Sequence, residues 1–332
     1  MKKPYLPVGV LLCALLLCQP ACAPAQVPAP AFSVIQFREP YETGKIPLSN
    51  DVTIPAEDAG YTLYLPQGEV KGMIVFFQAG RDSSSRDYEM QLYREALLKQ
   101  VATLYLSTGN PVEFLFDSLR YHQLDRYIGR AVAEHHIPAG RLLFAGMSLG
   151  GTRALKFGAW CLAGQSATQL RPRAIAVCDA PLDFHRFWRE LKRSIRLNLS
   201  PVAVNEAQWV SAQLETYLGG TPAEHPEAYT RYSPYVYGPE PDARLKIYEK
   251  TAIRAYTEPD IHWWMSNRYK DFNGINAIDA AAFINDLHIT GHNAAALLTT
   301  EGKGRKPNGA RHPHSWSIVD NAELADWLLS LP

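Results

Sequence analysis

The sequence predicts an α/β fold with a mainly parallel central sheet that is covered by helices on both faces. The first observation is a series of short apolar runs, which are typical of strands buried on both sides of a parallel sheet. The second is that most of these runs are separated by segments with the apolar spacing of a helix. The predicted strands are residues 73–78, 101–106, 141–145, 174–178, 251–257 and 294–299.

The helices that alternate with these strands can be placed from the same spacing. Asp320, followed three residues later by Glu323, has the pattern of a capping box at the start of the last helix. The alternation stops over about residues 184–245, an aromatic-rich stretch that we interpret as a helical cap insertion. The predicted helices are residues 87–98, 116–135, 149–162, 277–287 and 320–331.

The N-terminus has the pattern of a secretory signal peptide. Lys2 and Lys3 precede an apolar run over residues 8–18, and small residues around Cys22 offer cleavage sites. The run is shorter than the roughly 20 residues that a membrane-spanning helix needs. We therefore expect a signal peptide over residues 1–25, a leader or N-terminal extension over 26–55 and the folded domain over 56–332. The mature chain is expected to be secreted or periplasmic without a transmembrane segment; lipid attachment at Cys22 is the alternative.

Charge and cysteine content exclude several classes of partner. Lys and Arg together number 33, as do Asp and Glu, and loss of Lys2 and Lys3 leaves 31 against 33, a net charge of −2. This balance argues against a nucleic-acid partner or a polybasic membrane surface. Cys161 and Cys178 lie in apolar segments, which favours buried free thiols over a disulfide. No zinc-type spacing of Cys and His occurs, so no metal is expected.

A strand, a sharp turn and a helix surround the pentapeptide Gly146-Met147-Ser148-Leu149-Gly150. A serine that acts as a nucleophile at the top of a sheet must lie on a strained turn. The residues two before and two after it approach each other closely, so glycine suits both positions. The N-terminus of the helix also directs its positive end to the place where an oxyanion forms. Ser148 is therefore the predicted nucleophile.

A serine nucleophile needs a base within hydrogen-bond reach. We favour His314, because it follows the last predicted strand and precedes the last helix; His312 is the alternative. The imidazole needs a carboxylate that holds it in one tautomer. Asp260, in the turn after strand 251–257, is the favoured acid, with Glu258 as the first alternative and Asp179 as the second. Helix capping is the other role open to Asp260.

The oxyanion needs two backbone N–H donors. Leu149, the residue after the nucleophile, supplies one, and the loop after the first predicted strand should supply the other from Ala79 or Gly80. Trp263 and Trp264 follow the favoured acid, and Arg81 lies beside the oxyanion loop. These three side chains are the candidates for contact with substrate, although packing in the core and exposure to solvent are the commoner roles of such residues.

These motifs resemble the α/β-hydrolase superfamily, in its esterase and prolyl-oligopeptidase branch. The resemblance covers nearly all of residues 60–332 and depends on GMSLGG at 146–151, TEPD at 257–260 and HPHSW at 312–316. It implies an α/β-hydrolase fold with Ser148 as nucleophile, Asp260 as acid and His314 as base. The loop QAGRDSSSRD at 78–87 departs from the glycine-rich HGGG loop of many esterases.

Together with the signal-peptide pattern, the resemblance implies a secreted serine hydrolase that cleaves a small-molecule carboxylic ester through an acyl-enzyme, with no metal or cofactor. A peptidase or amidase with the same mechanism is the first alternative. The second is a secreted binding protein that has the fold without catalysis, because fold alone does not determine function.

Overall fold

The computed structural model describes residues 31–48, 52–78 and 91–332. In these residues the chain forms ten strands, and their bounds confirm each predicted strand to within two residues at either end. They are β1 Phe32–Glu39, β2 Lys45–Pro47, β3 Thr53–Pro55, β4 Ala59–Pro66, β5 Gly72–Phe77, β6 Val101–Ser107, β7 Leu142–Met147, β8 Ala174–Cys178, β9 Ala252–Thr257 and β10 Ala295–Thr299.

Nine α-helices occur in the same described residues, and the predicted helices agree with them to within about two residues where both ends are described. They are α1 Leu92–Leu98, α2 Ser118–Glu134, α3 Leu149–Leu162, α4 Phe184–Leu197, α5 Pro201–Leu218, α6 Pro226–Tyr232, α7 Ile261–Arg268, α8 Ala277–Ile289 and α9 Asn321–Ser330. The helix predicted over 87–98 begins as α1 at Leu92, with residues 87–90 outside the described part. None of the described helices is both long enough and apolar enough to cross a bilayer.

Eight strands form the central sheet in the order β1-β4-β6-β5-β7-β8-β9-β10. Strands β5 to β10 pair in parallel, whereas β4 pairs antiparallel with both β1 and β6. The mainly parallel sheet is therefore confirmed, with an antiparallel edge that the apolar runs did not indicate. The extension predicted over residues 26–55 contains strand β1, so the sheet begins at Phe32.

Two hydrophobic cores cover the two faces of this sheet, as predicted. Along β5, Val75 points into the core formed with α2, α3 and α8, and Phe76 points into the opposite core formed with α1 and α9. Alternate side chains of a strand face opposite sides, so burial on both faces makes every residue of β5 apolar or glycine. Cys161 and Cys178 are buried thiols in these cores and form no disulfide with each other, as expected.

Helices α4, α5 and α6 lie between β8 and β9 and form the predicted cap insertion. They share a core of their own with the loop before α2, made by Phe114, Phe184, Leu191, Ala207, Val210, Leu214, Leu218 and Tyr229. A buried ion pair joins the cap to the sheet layer: Arg186 Nε lies 2.5 Å from Asp279 Oδ1 of α8, and Nη2 lies 2.7 Å from Oδ2. This two-point contact fixes the cap over the carboxyl edge of the sheet.

The first turn of α9 differs in one detail from the predicted capping box. Asp320 accepts hydrogen bonds from the N–H groups of Ala322 and Glu323, both at 3.0 Å, as a capping residue does. The side chain of Glu323, which should return to the Asp320 N–H, binds Arg254 of β9 at 2.7 Å instead. The neighbouring arginine is a stronger partner for the carboxylate than a single N–H group.

Candidate active site

Ser148 lies between β7 and α3 in a strained backbone conformation. Its φ and ψ angles are 53° and −126°, which only glycine adopts readily. Such a conformation costs roughly 1–3 kcal/mol and persists only where the surroundings impose it. Here the Ser148 N–H donates to the carbonyl of Cys178 in β8 at 2.8 Å. The turn therefore has the geometry that the sequence predicts for an exposed nucleophile.

The glycines around Ser148 are required by close contacts. A Cβ atom on Gly146 would come within 2.3 Å of the Gly150 carbonyl group, and one on Gly150 within 2.1 Å of Phe77 O. A Cβ atom on Gly151 would lie 2.8 Å from Ala180 Cβ. The close approach expected between positions 146 and 150 is confirmed. The contact with Phe77 shows in addition that the turn packs against the end of β5.

His314, in the long loop after β10, directs its Nδ1 atom to Asp179 Oδ2, and the two groups form a very short hydrogen bond. Burial lowers the pKa of His314, but the charge and the hydrogen bond of Asp179 raise it by more, so the pKa is higher than usual for histidine. Because Nδ1–H donates to Asp179, the second ring nitrogen, Nε2, is left for proton transfer.

Asp179 is the first residue after β8, and its position is well determined. Its N–H donates to Tyr256 O at 2.8 Å, and its carbonyl oxygen accepts from Asn276 Nδ2 at 2.9 Å. The Thr257 hydroxyl lies 3.3 Å from Asp179 Oδ1, and the backbone has a positive φ of 44°. Neighbours on β9 and before α8 thus hold the carboxylate toward His314.

The expected pairing of Asp260 with His314 is not what the structure contains, and Asp179 takes that place. Asp260 is the N-cap of α7: Oδ1 accepts from the Trp263 N–H at 3.0 Å, and Oδ2 accepts from Arg311 Nη2 at 2.7 Å. Both oxygens are therefore used elsewhere. The capping role, which the sequence left open for this residue, is the one observed.

Glu258, the first alternative acid, supports the His314 loop rather than His314 itself. Its fully buried carboxylate accepts from the Thr300 hydroxyl at 2.6 Å and from the N–H groups of Lys303 at 3.0 Å and Gly304 at 3.1 Å. It also forms an ion pair with Arg311. The motif after β9 therefore contributes to the site by fixing the loop that carries His314.

Among the described residues, His312 packs against the two tryptophans and forms no ion pair with a carboxylate. Its ring centroid lies 4.9 Å from that of Trp263 and 6.2 Å from that of Trp264, and its Nδ1–H donates to His314 O at 2.9 Å. Burial, followed by the charge of His314, lowers the pKa of His312 to about 4. This side chain is therefore neutral at neutral pH and serves to orient the His314 backbone.

Ser148, Asp179 and His314 open onto one pocket of about 210 Å³ at the carboxyl edge of the sheet. The cap covers one side of this pocket through Phe187 of α4 and Ala203 of α5. The remaining lining residues are Pro181, Val202, Glu206, Trp264, Arg268, Lys270, Gly274, Ile275, Asn276, Lys306 and His312. Of the predicted substrate contacts, Trp264 lines the pocket, whereas Trp263 is half-buried and is not among the lining residues.

Of the predicted oxyanion donors, Leu149 lies in the described part of the chain and the others do not. Leu149 begins α3, so its N–H is one of the first-turn groups that have no partner within the helix. Its side chain packs against the core of the cap. Ala79, Gly80 and Arg81 lie outside the described residues, so the second donor stays a prediction.

Sequence reasoning missed Arg153 of α3, which holds the chain ahead of the predicted oxyanion loop. This fully buried guanidinium donates to the carbonyl groups of Gln78, Glu113 at 2.6 Å and Pro111 at 2.9 Å. Burial lowers its pKa to about 10, which leaves it cationic at neutral pH. A basic residue five positions after the nucleophile, on a helix that is otherwise buried, is the signal that could have identified it.

Comparison with solved structures gives matches over nearly the whole chain. Carboxyl esterase 2 of the mycorrhizal fungus Tuber melanosporum aligns with a TM-score of 0.55 at 12% identity, over 91% of this chain and 88% of that chain. An esterase from the bacterial hormone-sensitive lipase family aligns with a TM-score of 0.50 at 14% identity, over 90% and 84%. No protein-family model and no curated protein sequence matches the chain. By its strand order and these structural matches, the chain has the α/β-hydrolase fold.

Proposed function

We propose that the protein is a serine hydrolase that cleaves a small-molecule carboxylic ester, with Ser148 as nucleophile, His314 as base and Asp179 as the carboxylate that orients His314. The observation that carries the proposal is the strained Ser148 turn, which opens onto the same pocket as an imidazole whose Nδ1–H is held by a carboxylate. The similarity of the fold to two esterases supports an ester as substrate.

In this mechanism Ser148 Oγ attacks the carbonyl carbon of the ester, and His314 Nε2 accepts the hydroxyl proton. The negative charge that develops on the carbonyl oxygen is stabilised by the Leu149 N–H and by a second donor, predicted at residues 79–80. The tetrahedral intermediate collapses, the C–O bond to the alcohol breaks and His314 returns the proton to the leaving alcohol. Water, deprotonated by His314, then hydrolyses the acyl-enzyme and restores Ser148.

A fluorophosphonate probe tests the proposal directly, because it phosphonylates serines that are activated in this way. We expect the purified protein to be labelled at Ser148, which peptide mass spectrometry identifies, and to hydrolyse p-nitrophenyl butyrate. The variant Ser148→Ala should show neither reaction. Absence of labelling in the native protein, under conditions that label a control hydrolase, would exclude an activated serine.

The raised pKa of His314 predicts the pH dependence of the reaction. The base must be neutral, so kcat/KM should rise with pH through an inflexion above about 6.5, the usual value for histidine. In Asp179→Asn the charge that raises the pKa is lost while burial remains, so the inflexion should move to lower pH. Rate profiles, together with NMR titration of the His314 ring, measure both values. Identical inflexions in the two proteins would contradict the assignment of Asp179.

A further inference from the structure

Within the described part of the chain, the side chains that line the pocket around Ser148 carry an excess of positive charge. Three cationic side chains line it: Arg268 at the end of α7, Lys270 just beyond, and Lys306 in the loop that carries His314. The two carboxylates that line it are Asp179, which is engaged by His314, and Glu206 of α5. Among the described lining residues, three cations therefore face one carboxylate, that of Glu206, that has no hydrogen bond to His314.

The cations differ in the partners that the protein supplies. Lys270 Nζ lies 3.6 Å from Glu190 Oε1, so its charge is partly compensated. Within residues 31–48, 52–78 and 91–332, neither Arg268 nor Lys306 has a carboxylate within 4.0 Å. Among the described residues, these two positive charges at the pocket therefore have no acidic partner, and an anionic ligand could supply one.

Arg268 is held in position although it has no acidic partner. Its guanidinium lies over the Trp263 ring, 5.5 Å from the centroid, and Nη1 donates to Asn267 O at 2.9 Å. Trp263 in turn contacts His312, which adjoins His314. Stacking on an aromatic ring leaves the other guanidinium N–H groups available in a fixed fork, the geometry that suits a carboxylate.

The field of these cations reaches the catalytic loop. After burial and the charge of His314, Lys306 and Arg268 are among the causes that lower the pKa of His312. With a pKa of about 4, His312 is neutral at neutral pH and adds no positive charge to those of Arg268 and Lys306. An anionic group on a substrate that occupies this pocket would therefore lie within their electrostatic reach.

We infer that the pocket selects esters that carry a carboxylate, which Arg268 and Lys306 bind. The inference rests on the proposed function and adds the substrate class. An ester in the pocket can carry the carboxylate on its acyl part or on its alcohol part, and both forms present the same group to the cations. Loss of one such charge-assisted contact is expected to reduce kcat/KM for the carboxylate ester by about tenfold.

Two substrate pairs test the inference, each comparing a carboxylate with its isosteric, neutral carboxamide. The first pair is mono-p-nitrophenyl adipate and its monoamide, with the charge on the acyl part. The second is 3-carboxyphenyl butyrate and 3-carbamoylphenyl butyrate, with the charge on the alcohol part. Because two contacts of about tenfold each are made, we expect kcat/KM at low ionic strength to favour the carboxylate by about 100-fold in at least one pair, and added salt to reduce the preference.

Charge variants connect the preference to the named residues. Arg268→Gln and Lys306→Gln should each lower the carboxylate-to-carboxamide ratio by about tenfold, whereas Glu206→Gln should raise it. Lys250→Gln is the matched control, because this exposed lysine lies just before β9, at the end of the strand opposite the pocket, and should leave the ratio and the activity unchanged. Preference for the carboxamide in both pairs, or equal losses for both members in Arg268→Gln, would overturn the inference.

The same measurements separate this inference from the proposed function. If the protein hydrolyses the carboxamide esters and is labelled at Ser148 but shows no charge preference, the hydrolase assignment stands and the selection of anions is wrong. If it hydrolyses none of the four esters and escapes the fluorophosphonate probe, the proposed function is wrong and the substrate class falls with it.

Discussion

Replacing Asp179 with Asn is expected to lower kcat for ester hydrolysis by about 10⁴-fold with little effect on folding. The carboxylate accepts the Nδ1–H of His314 and fixes the tautomer in which Nε2 can receive the Ser148 proton. An amide of the same shape can donate to Nδ1 and so stabilise the wrong tautomer. It also no longer neutralises the imidazolium that forms during the reaction.

Asp260→Asn is the matched control, because this carboxylate also follows a sheet strand at the same edge. Asn is as good an N-cap as Asp, so the substitution keeps the cap of α7 and loses mainly the ion pair with Arg311, which should cost about 1 kcal/mol of unfolding free energy. We expect kcat to remain within about tenfold of the native value. Initial rates with p-nitrophenyl butyrate and thermal unfolding curves of both variants make the comparison. A greater loss of kcat in Asp260→Asn than in Asp179→Asn would restore Asp260 as the catalytic acid.

The sequence was informative about the strands because the parallel part of the sheet is buried on both faces. Strands such as β5 and β8 contain only apolar residues and glycine, and this composition marks them without reference to the rest of the chain. Strand β1 lies at the edge, where several residues are exposed, so it lacks a continuous apolar run. Its place in the sheet depends on antiparallel pairing with β4, a contact between segments that sequence pattern alone does not reveal.

The nucleophile could be located from the sequence because its turn is local, and the base because chain order places it. The Ser148 turn is a local structure in which Gly146 and Gly150 approach each other closely, although contacts with Phe77 and Ala180 also require glycine at positions 150 and 151. The loop containing His314 follows the last strand of the sheet, so chain order places it at the carboxyl edge.

The acid could not be chosen in this way, because Asp179, Glu258 and Asp260 all follow strands at that edge. Arg311, which is more than 50 residues away in the chain, forms ion pairs with both Glu258 and Asp260. Asp179 is then the carboxylate that binds His314. The pattern after Asp260 was nevertheless informative. An Asp just before a helical segment is typical of an N-cap, and Asp260 accepts from the N–H of Trp263, three residues later, as an N-cap does.

Ser148→Ala and His314→Ala are each expected to lower kcat by about 10⁶-fold, and the double variant should lose no more than either single variant. The two side chains perform one proton transfer: without the hydroxyl there is no proton for the imidazole to accept, and without the imidazole the hydroxyl remains a weak nucleophile. The remaining acceleration would come from backbone donors and binding, which neither substitution removes. Independent contributions would instead multiply to about 10¹² in the double variant, so the expected coupling free energy is about 8 kcal/mol.

Because losses of this size approach the level of contaminating hydrolases, the variants should be treated with fluorophosphonate before assay. This treatment inactivates contaminants but leaves the Ser148→Ala and double variants unmodified. A double variant that is at least tenfold slower than Ser148→Ala would indicate that His314 contributes separately from the serine, and the two residues would then not act as one catalytic unit.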